Sequence, residues 1–105
     1  VTELALVDVL ALSAVLLGVG LFGILTRRNF ILLLIAIEVA MNAAILNFVA
    51  FAAFGGTPAA VSGQAIAVVL VGLAATEVAV GLAIVLALNR LRGSINVAEA
   101  VQLRL

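Results

Sequence analysis

Phe30–Phe54 reads FILLLIAIEVAMNAAILNFVAFAAF and holds one ionisable side chain, Glu38. A helix rises ~1.5 Å per residue, so a run of this length crosses the ~30 Å hydrocarbon core of a bilayer. Two further apolar runs flank it, at about residues 4–25 and 64–88. A backbone exposed to lipid must satisfy its own hydrogen bonds, and three long apolar runs do so as helices rather than as barrel strands. The predicted fold is an all-α membrane protein with three transmembrane helices. It forms a single membrane domain over residues 1–105, with a tail at 89–105. Arg27, Arg28 and Asn29 separate the first two spans, and Gly55-Gly56-Thr57-Pro58 opens a second loop that reaches about Gly63. Asn89, Arg90, Arg92 and Gly93 close the third span. In the tail, Asn96 with Glu99 three residues on has the capping-box pattern of a short surface helix.

The composition agrees. The chain is 68% hydrophobic and 10% charged, against about 45–50% and roughly 25% in soluble domains, and its mean hydropathy is +1.50. There is no Cys, no His and only one Met. That excludes Fe–S ligation, most haem ligation, structural zinc and disulfides, and removes the commonest general base. No cofactor site is expected in this chain, and redox or hydrolytic chemistry must belong to other polypeptides. A formal net charge of zero gives no electrostatic draw to nucleic acid. Without Trp or Tyr there is no aromatic belt at the interfaces.

All five arginines lie in the first loop or the tail (Arg27, Arg28, Arg90, Arg92, Arg104), while Glu3 and Asp8 lie near the N-terminus. The positive-inside rule therefore predicts the N-terminus outside, with the first loop and C-terminus in the cytoplasm. An acidic start and the Arg pair after the first run predict a retained span rather than a cleaved leader.

Glu38 and Glu77 are the informative residues. They stand about eight and eleven residues from the cytoplasmic ends of antiparallel spans, so both lie roughly 12–17 Å deep. An acid at mid-membrane costs roughly 2.5–3.5 kcal/mol on insertion scales, and such residues are functional-site candidates by default. No Lys or Arg lies within any span. Asn42, four residues after Glu38, shares its face, and Thr76 adjoins Glu77, but neither neutralises a charge. Either the carboxyls hold protons or a cation from another chain sits opposite. Both arrangements leave a group whose proton occupancy follows its surroundings, which is the property a proton relay needs. The plainer reading is protonated glutamates acting as interhelical glue. Asp8, close to the start of its span, reads as an interfacial acid. Asn47 points away from Glu38 and toward a neighbouring helix. Ala75, Ala79, Ala83 and Ala87 form an i, i+4 row, Ala14 and Gly18 a shorter one, and Gly72 and Gly81 flank Glu77. Small rows on two helices suggest more than one packing face, and hence a subunit of a larger membrane assembly.

Arg27-Arg28-Asn29, Glu38 and Asn42, followed by Ala74-Ala75-Thr76-Glu77-Val78-Ala79-Val80-Gly81-Leu82-Ala83, resemble the NuoK family, the K subunits of proton-pumping NADH–quinone oxidoreductase (respiratory complex I). The resemblance covers nearly the whole chain, including a tail ending in Gln102-Leu103-Arg104. It implies a three-helix subunit of the membrane arm in an energy-transducing membrane, the prokaryotic plasma (inner) membrane. Neighbours would be quinone-proximal and antiporter-like subunits. The family's membrane glutamates, part of its proton path, would correspond to Glu38 and Glu77, and its loop arginines to Arg27 and Arg28. Fe–S clusters, flavin and quinone would be held by partner subunits. Related small subunits occur in multi-subunit cation/proton antiporters and membrane-bound hydrogenases, which is the alternative reading. Glu77 argues for the respiratory branch, since the antiporter relative is not expected to carry the third-span acid. A drug exporter would show four spans, an acid in the first and aromatic residues. A rotary-ATPase ring subunit would show a two-helix hairpin with one acid.

Overall fold

The computed structural model describes residues 3–93 and 96–100. Arg104 and the Gln102-Leu103-Arg104 ending lie outside the described residues, as do Val1, Thr2, Ser94 and Ile95. Three long helices follow one another: α1 (Leu6–Thr26), α2 (Phe30–Phe54) and α3 (Thr57–Arg92), with a single turn, α4 (Val97–Ala100), after them. Each long helix contains a stretch apolar and long enough to cross a membrane.

Local chemistry sets the ends. The Asp8 carboxylate accepts the Ala5 N–H at 3.0 Å, closing the first turn of α1 and placing an anion at the positive end of the helix dipole. Asn29 caps α2, its Oδ1 accepting from the Ile31 and Leu32 N–H groups at 2.9 and 3.4 Å. Asn96 Oδ1 accepts from the Ala98 N–H at 2.9 Å, which gives the Asn96 half of the expected capping box; the side chain of Glu99 lies outside what the structure describes.

The third helix departs from the sequence reading. It starts at Thr57 rather than near residue 64 and runs through Arg92, absorbing most of the expected second loop and the first residues of the expected tail. Gly56, at φ 84°, makes the turn, and Pro58 stands at the helix start, where its missing N–H and fixed φ cost nothing. Only Gly55 and Gly56 remain between α2 and α3. At ~1.5 Å per residue α3 is about 54 Å long, and the molecule's longest dimension is 53 Å. Gly93, in the left-handed region at φ 67°, ends it and donates its N–H to the Asn89 carbonyl at 2.7 Å.

α2 is the central element. It packs against both α1 and α3, which share no comparable interface with each other. The α1–α2 contact runs through small residues. A Cβ at Gly20 would lie 2.7 Å from the Ala40 nitrogen, and one at Gly23 would lie 2.6 Å from the Ala36 Cβ. Nearby, buried Ser13 donates to the Ala43 carbonyl at 2.8 Å. Lipid gives no hydrophobic drive to helix pairing, so close approach and interhelical hydrogen bonds carry it. The α2–α3 contact repeats the device, with Gly63 against Ala52 and Gly81 against Leu34. Ala67 and Ala74 are the buried alanines of α3.

The small rows singled out from the sequence are therefore not the intrachain seams. Ala75, Ala79, Ala83 and Ala87 are exposed, as are Ala14 and Gly18. The i, i+4 pattern marks a small-residue face but does not say which neighbour meets it; the helices of this chain meet along other faces.

Gly20→Leu is expected to force α1 from α2 at a cost of about 1–3 kcal/mol and to lower the amount of membrane-integrated subunit in native gels. Gly18→Leu, where a new side chain meets open space, should leave the α1–α2 pair intact.

Candidate functional site: two membrane carboxylates at one level

The α2–α3 register places the acids. Leu34 on α2 meets Gly81 on α3, and Ala52 meets Gly63 at the other end with the same antiparallel offset. One turn along α2 from Leu34 is Glu38, and one turn back along α3 from Gly81 is Glu77. The two carboxylates thus stand at the same height on adjacent helices, as their depths in sequence suggested.

Their surroundings differ. Glu38 is half-buried, and its Oε1 is sealed from solvent without a hydrogen-bond partner among the described residues. Asn42 lies one turn on but is exposed and donates nothing to it. A sealed carboxylate oxygen without a donor is costly. The site therefore calls for a bound proton, a water or a group from a neighbouring chain. Glu77 is exposed. It borders a recess of about 340 Å³ walled by Leu34, Ile37, Val80, Gly81 and Ile84, with Thr76 beside it. The Thr76 hydroxyl donates to its own helix, to the Gly72 carbonyl at 2.7 Å. Thr76 can therefore only accept a hydrogen bond from a group entering the recess. Leu34 and Ile37 belong to α2, so the recess bridges the face that leads to Glu38.

Asn47 does point away from Glu38, but it does not bond across to the next helix: its Oδ1 is buried without a partner among the described residues. Continuing the α1–α2 register brings Ser13 to this level, and the one hydroxyl proton of Ser13 is already given to Ala43. Ser13, the Asp8 cap and the Asn29 cap were not assigned roles from sequence. The signals for them were a lone Ser inside an apolar run, an acid in the first turn, and an Asn immediately before Phe30.

Arg27 and Arg28 lie in the α1–α2 loop, away from both carboxylates. The loop is fixed by the tail: the Val97 N–H donates to the Arg28 carbonyl at 2.6 Å, and Asn29 and Asn96 form an antiparallel bridge. Among the described residues no group of three or more His, Cys, Asp or Glu side chains is arranged to hold a metal.

Residues 8–104 match the family model described as NADH-ubiquinone/plastoquinone oxidoreductase chain 4L. The chain belongs to this family. Among its relatives, a protein of Syntrophobacter fumaroxidans named NADH-quinone oxidoreductase subunit K 1 is 50% identical over 95 residues, covering 90% of this chain and 92% of the relative. A subunit K of an Anaeromyxobacter strain is 49% identical over 88 residues, covering 84% and 86%. One from Geobacillus kaustophilus is 45% identical over 95 residues, covering 90% and 93%. The chain 4L match takes in α1 from Asp8 on, all of α2 and α3, and both glutamates.

The register that levels the glutamates is directly testable, because the chain has no cysteine of its own. Ala52→Cys with Gly63→Cys is expected to form a disulfide under mild oxidation once the helices give by about 1 Å, since a Cβ at Gly63 would stand 2.7 Å from that of Ala52 and a disulfide spans ~3.5–4.5 Å. Ala52→Cys with Ala67→Cys, one turn out of register, should not. Gel mobility of the reduced and oxidised subunit reads the result.

Proposed function

We propose that this chain is the K-type membrane subunit of a proton-pumping quinone oxidoreductase, and that Glu38 and Glu77 are its section of the proton path. The observation that carries the reading is their equal height on α2 and α3, one with a sealed, donor-less oxygen and the other at the mouth of a recess. Family membership supports the same complex, and the relatives' names supply the electron donor and acceptor classes, NADH and a quinone.

In this mechanism a proton on one carboxyl passes through intervening water to the other. The direction is set by changes in hydration and electrostatics as quinone is reduced in a neighbouring subunit. An acid at mid-membrane without an internal cation is suited to this, because small environmental changes alter its proton occupancy. Asn42 and Thr76 serve as polar neighbours that orient entering water. The outward Glu77 is covered by an antiporter-like subunit, and quinone-proximal subunits take the opposite side. Flavin, Fe–S clusters and quinone are held by those partners. The loop arginines put the first loop and tail in the cytoplasm and the N-terminus outside, with the complex in the bacterial plasma membrane.

Glu38→Gln keeps the shape and removes the exchangeable proton. In assembled complex in vesicles, Glu38→Gln is expected to lower proton pumping and coupled quinone reduction by about a hundredfold, the lower end of what a positioned proton-transfer group contributes. Glu77→Gln is expected to act in the same direction. Normal assembly with unchanged pumping in both variants would leave only a gluing role. Co-purification with cation-antiporter subunits and no redox partner would move the chain to the antiporter branch.

A further inference from the structure

On the outer side of the α1–α2 contact, close to the loop, the two helices part. Gly20 and Gly23 bring their backbones together at Ala40 and Ala36, but the larger side chains beside this pinch stand clear of each other. Val19 and Phe22 of α1 face Leu32, Ile35 and Val39 of α2 across an open groove of about 340 Å³, and Arg27 forms its loop end. Val19, Phe22, Leu32 and Ile35 are exposed. The groove is thus apolar along its length and cationic at one end.

The cationic end is fixed in place. Arg27 immediately follows α1, its N–H held by the Gly23 carbonyl at 3.0 Å. The tail holds the next residue through the Val97–Arg28 hydrogen bond. α2 begins three residues on and turns the positive end of its dipole toward the same place, with no acid in its first turn. Among the described residues no carboxylate pairs with the Arg27 guanidinium. Arg27 also stands where two spans leave the hydrocarbon, the level at which lipid phosphates lie.

A ligand matching these walls has a long apolar body and an anionic group at one end. We propose that the α1–α2 groove holds one anionic glycerophospholipid. Its phosphate sits on the Arg27 guanidinium, which can grip two oxygens at once, and one acyl chain runs along Phe22, Val19, Ile35 and Val39. A helix from a neighbouring subunit would fill the apolar walls but leaves the terminal cation unexplained. Basic pockets between membrane helices recognise phospholipid headgroups in this way. The other recess with an arginine, about 520 Å³ beside Arg90, is lined by α3 alone and has no second wall to clasp a chain. The assignment is independent of the proton-path reading and needs only that the helices span a membrane.

The test uses the assembled complex in nanodiscs of phosphatidylcholine with a minor share of phosphatidylglycerol. A photoreactive benzoylphenylalanine at Ile35 is expected to label phosphatidylglycerol well above its mole fraction. After detergent exchange, native mass spectrometry should count about one fewer retained phosphatidylglycerol per complex in Arg27→Gln and in Ile35→Trp, and no loss in Arg27→Lys. Labelling in proportion to lipid composition, cross-linking of Ile35 to a protein subunit, or equal retention in all variants would overturn the assignment. If Arg27→Gln does not assemble, the labelling from Ile35 in complex with intact Arg27 decides alone.

Discussion

The close approach of α2 to its two neighbours through residues with almost no side chain is the constraint on which the structure rests. In water, burial of leucines and valines would hold three helices together; in lipid the tails are as apolar as those side chains and the drive is absent. What remains is van der Waals contact at short range and the occasional interhelical hydrogen bond. Gly20, Gly23, Gly63 and Gly81 supply the first, each leaving no room for a Cβ without a shift. Ser13 donating to Ala43 supplies the second. Of the four buried alanines of α2, Ala36, Ala43 and Ala50 recur every seven residues, the spacing that keeps one helix face along a neighbour, and Ala52 meets Gly63 of α3. The heights of Glu38 and Glu77 follow from the α2–α3 seam. A slip of one turn between α2 and α3 would separate the acids by about 5.4 Å along the axis.

The same arrangement explains why the chain is unsuited to stand alone. Because α1 and α3 share no comparable interface, α3 leaves exposed both Glu77, on the side it shares with Gly81, and the Ala75–Ala79–Ala83–Ala87 row, whose Ala75 and Ala79 lie around the helix from it. An ionisable group at mid-membrane facing lipid costs about as much as three or four buried methylenes contribute. A partner that covers Glu77 and brings a donor or water to it removes that cost. The small row is exposed on a different side of α3, a second surface open to close helix packing that the fold of this chain does not use.

Sequence alone located the helices and the acids because bilayer thickness imposes a length and carboxylates in such a run have few bland explanations. Glu38 and Glu77 were legible at nearly the right relative height since height depends only on residue count and helix direction. What was not legible depends on rotation and on partners. The i, i+4 row on α3 and the row at Ala14 and Gly18 were visible as stripes, but their azimuth relative to α2 is set by Gly81, Gly63 and Gly20, whose role appears only when the helices are placed together. Likewise Thr76 is next to Glu77 in sequence, yet its hydroxyl has an acceptor one turn back in Gly72, and a backbone carbonyl at hydrogen-bond distance outcompetes a side chain that faces out. The start of α3 at Thr57 was obscured by Gly, Pro and Thr, residues that punctuate loops; here the Gly makes the turn and the Pro begins the helix.

The two glutamates also differ in a way that assigns them different dependences. Glu38 carries its problem within this chain, in an oxygen closed off by α2's own neighbours and lacking a donor. Whatever completes the hydrogen bonding of that oxygen must fit within the packing of α2 against its neighbours. Glu77 carries its problem on the surface, where what covers it is supplied from outside. A group from outside the chain can reach Glu77 directly, whereas Glu38 lies behind the recess walled by Leu34, Ile37 and Gly81. One turn from both acids Gly81 packs against Leu34 with no room for a Cβ, so the height of the two carboxylates relative to each other is held by the same contact that walls the recess.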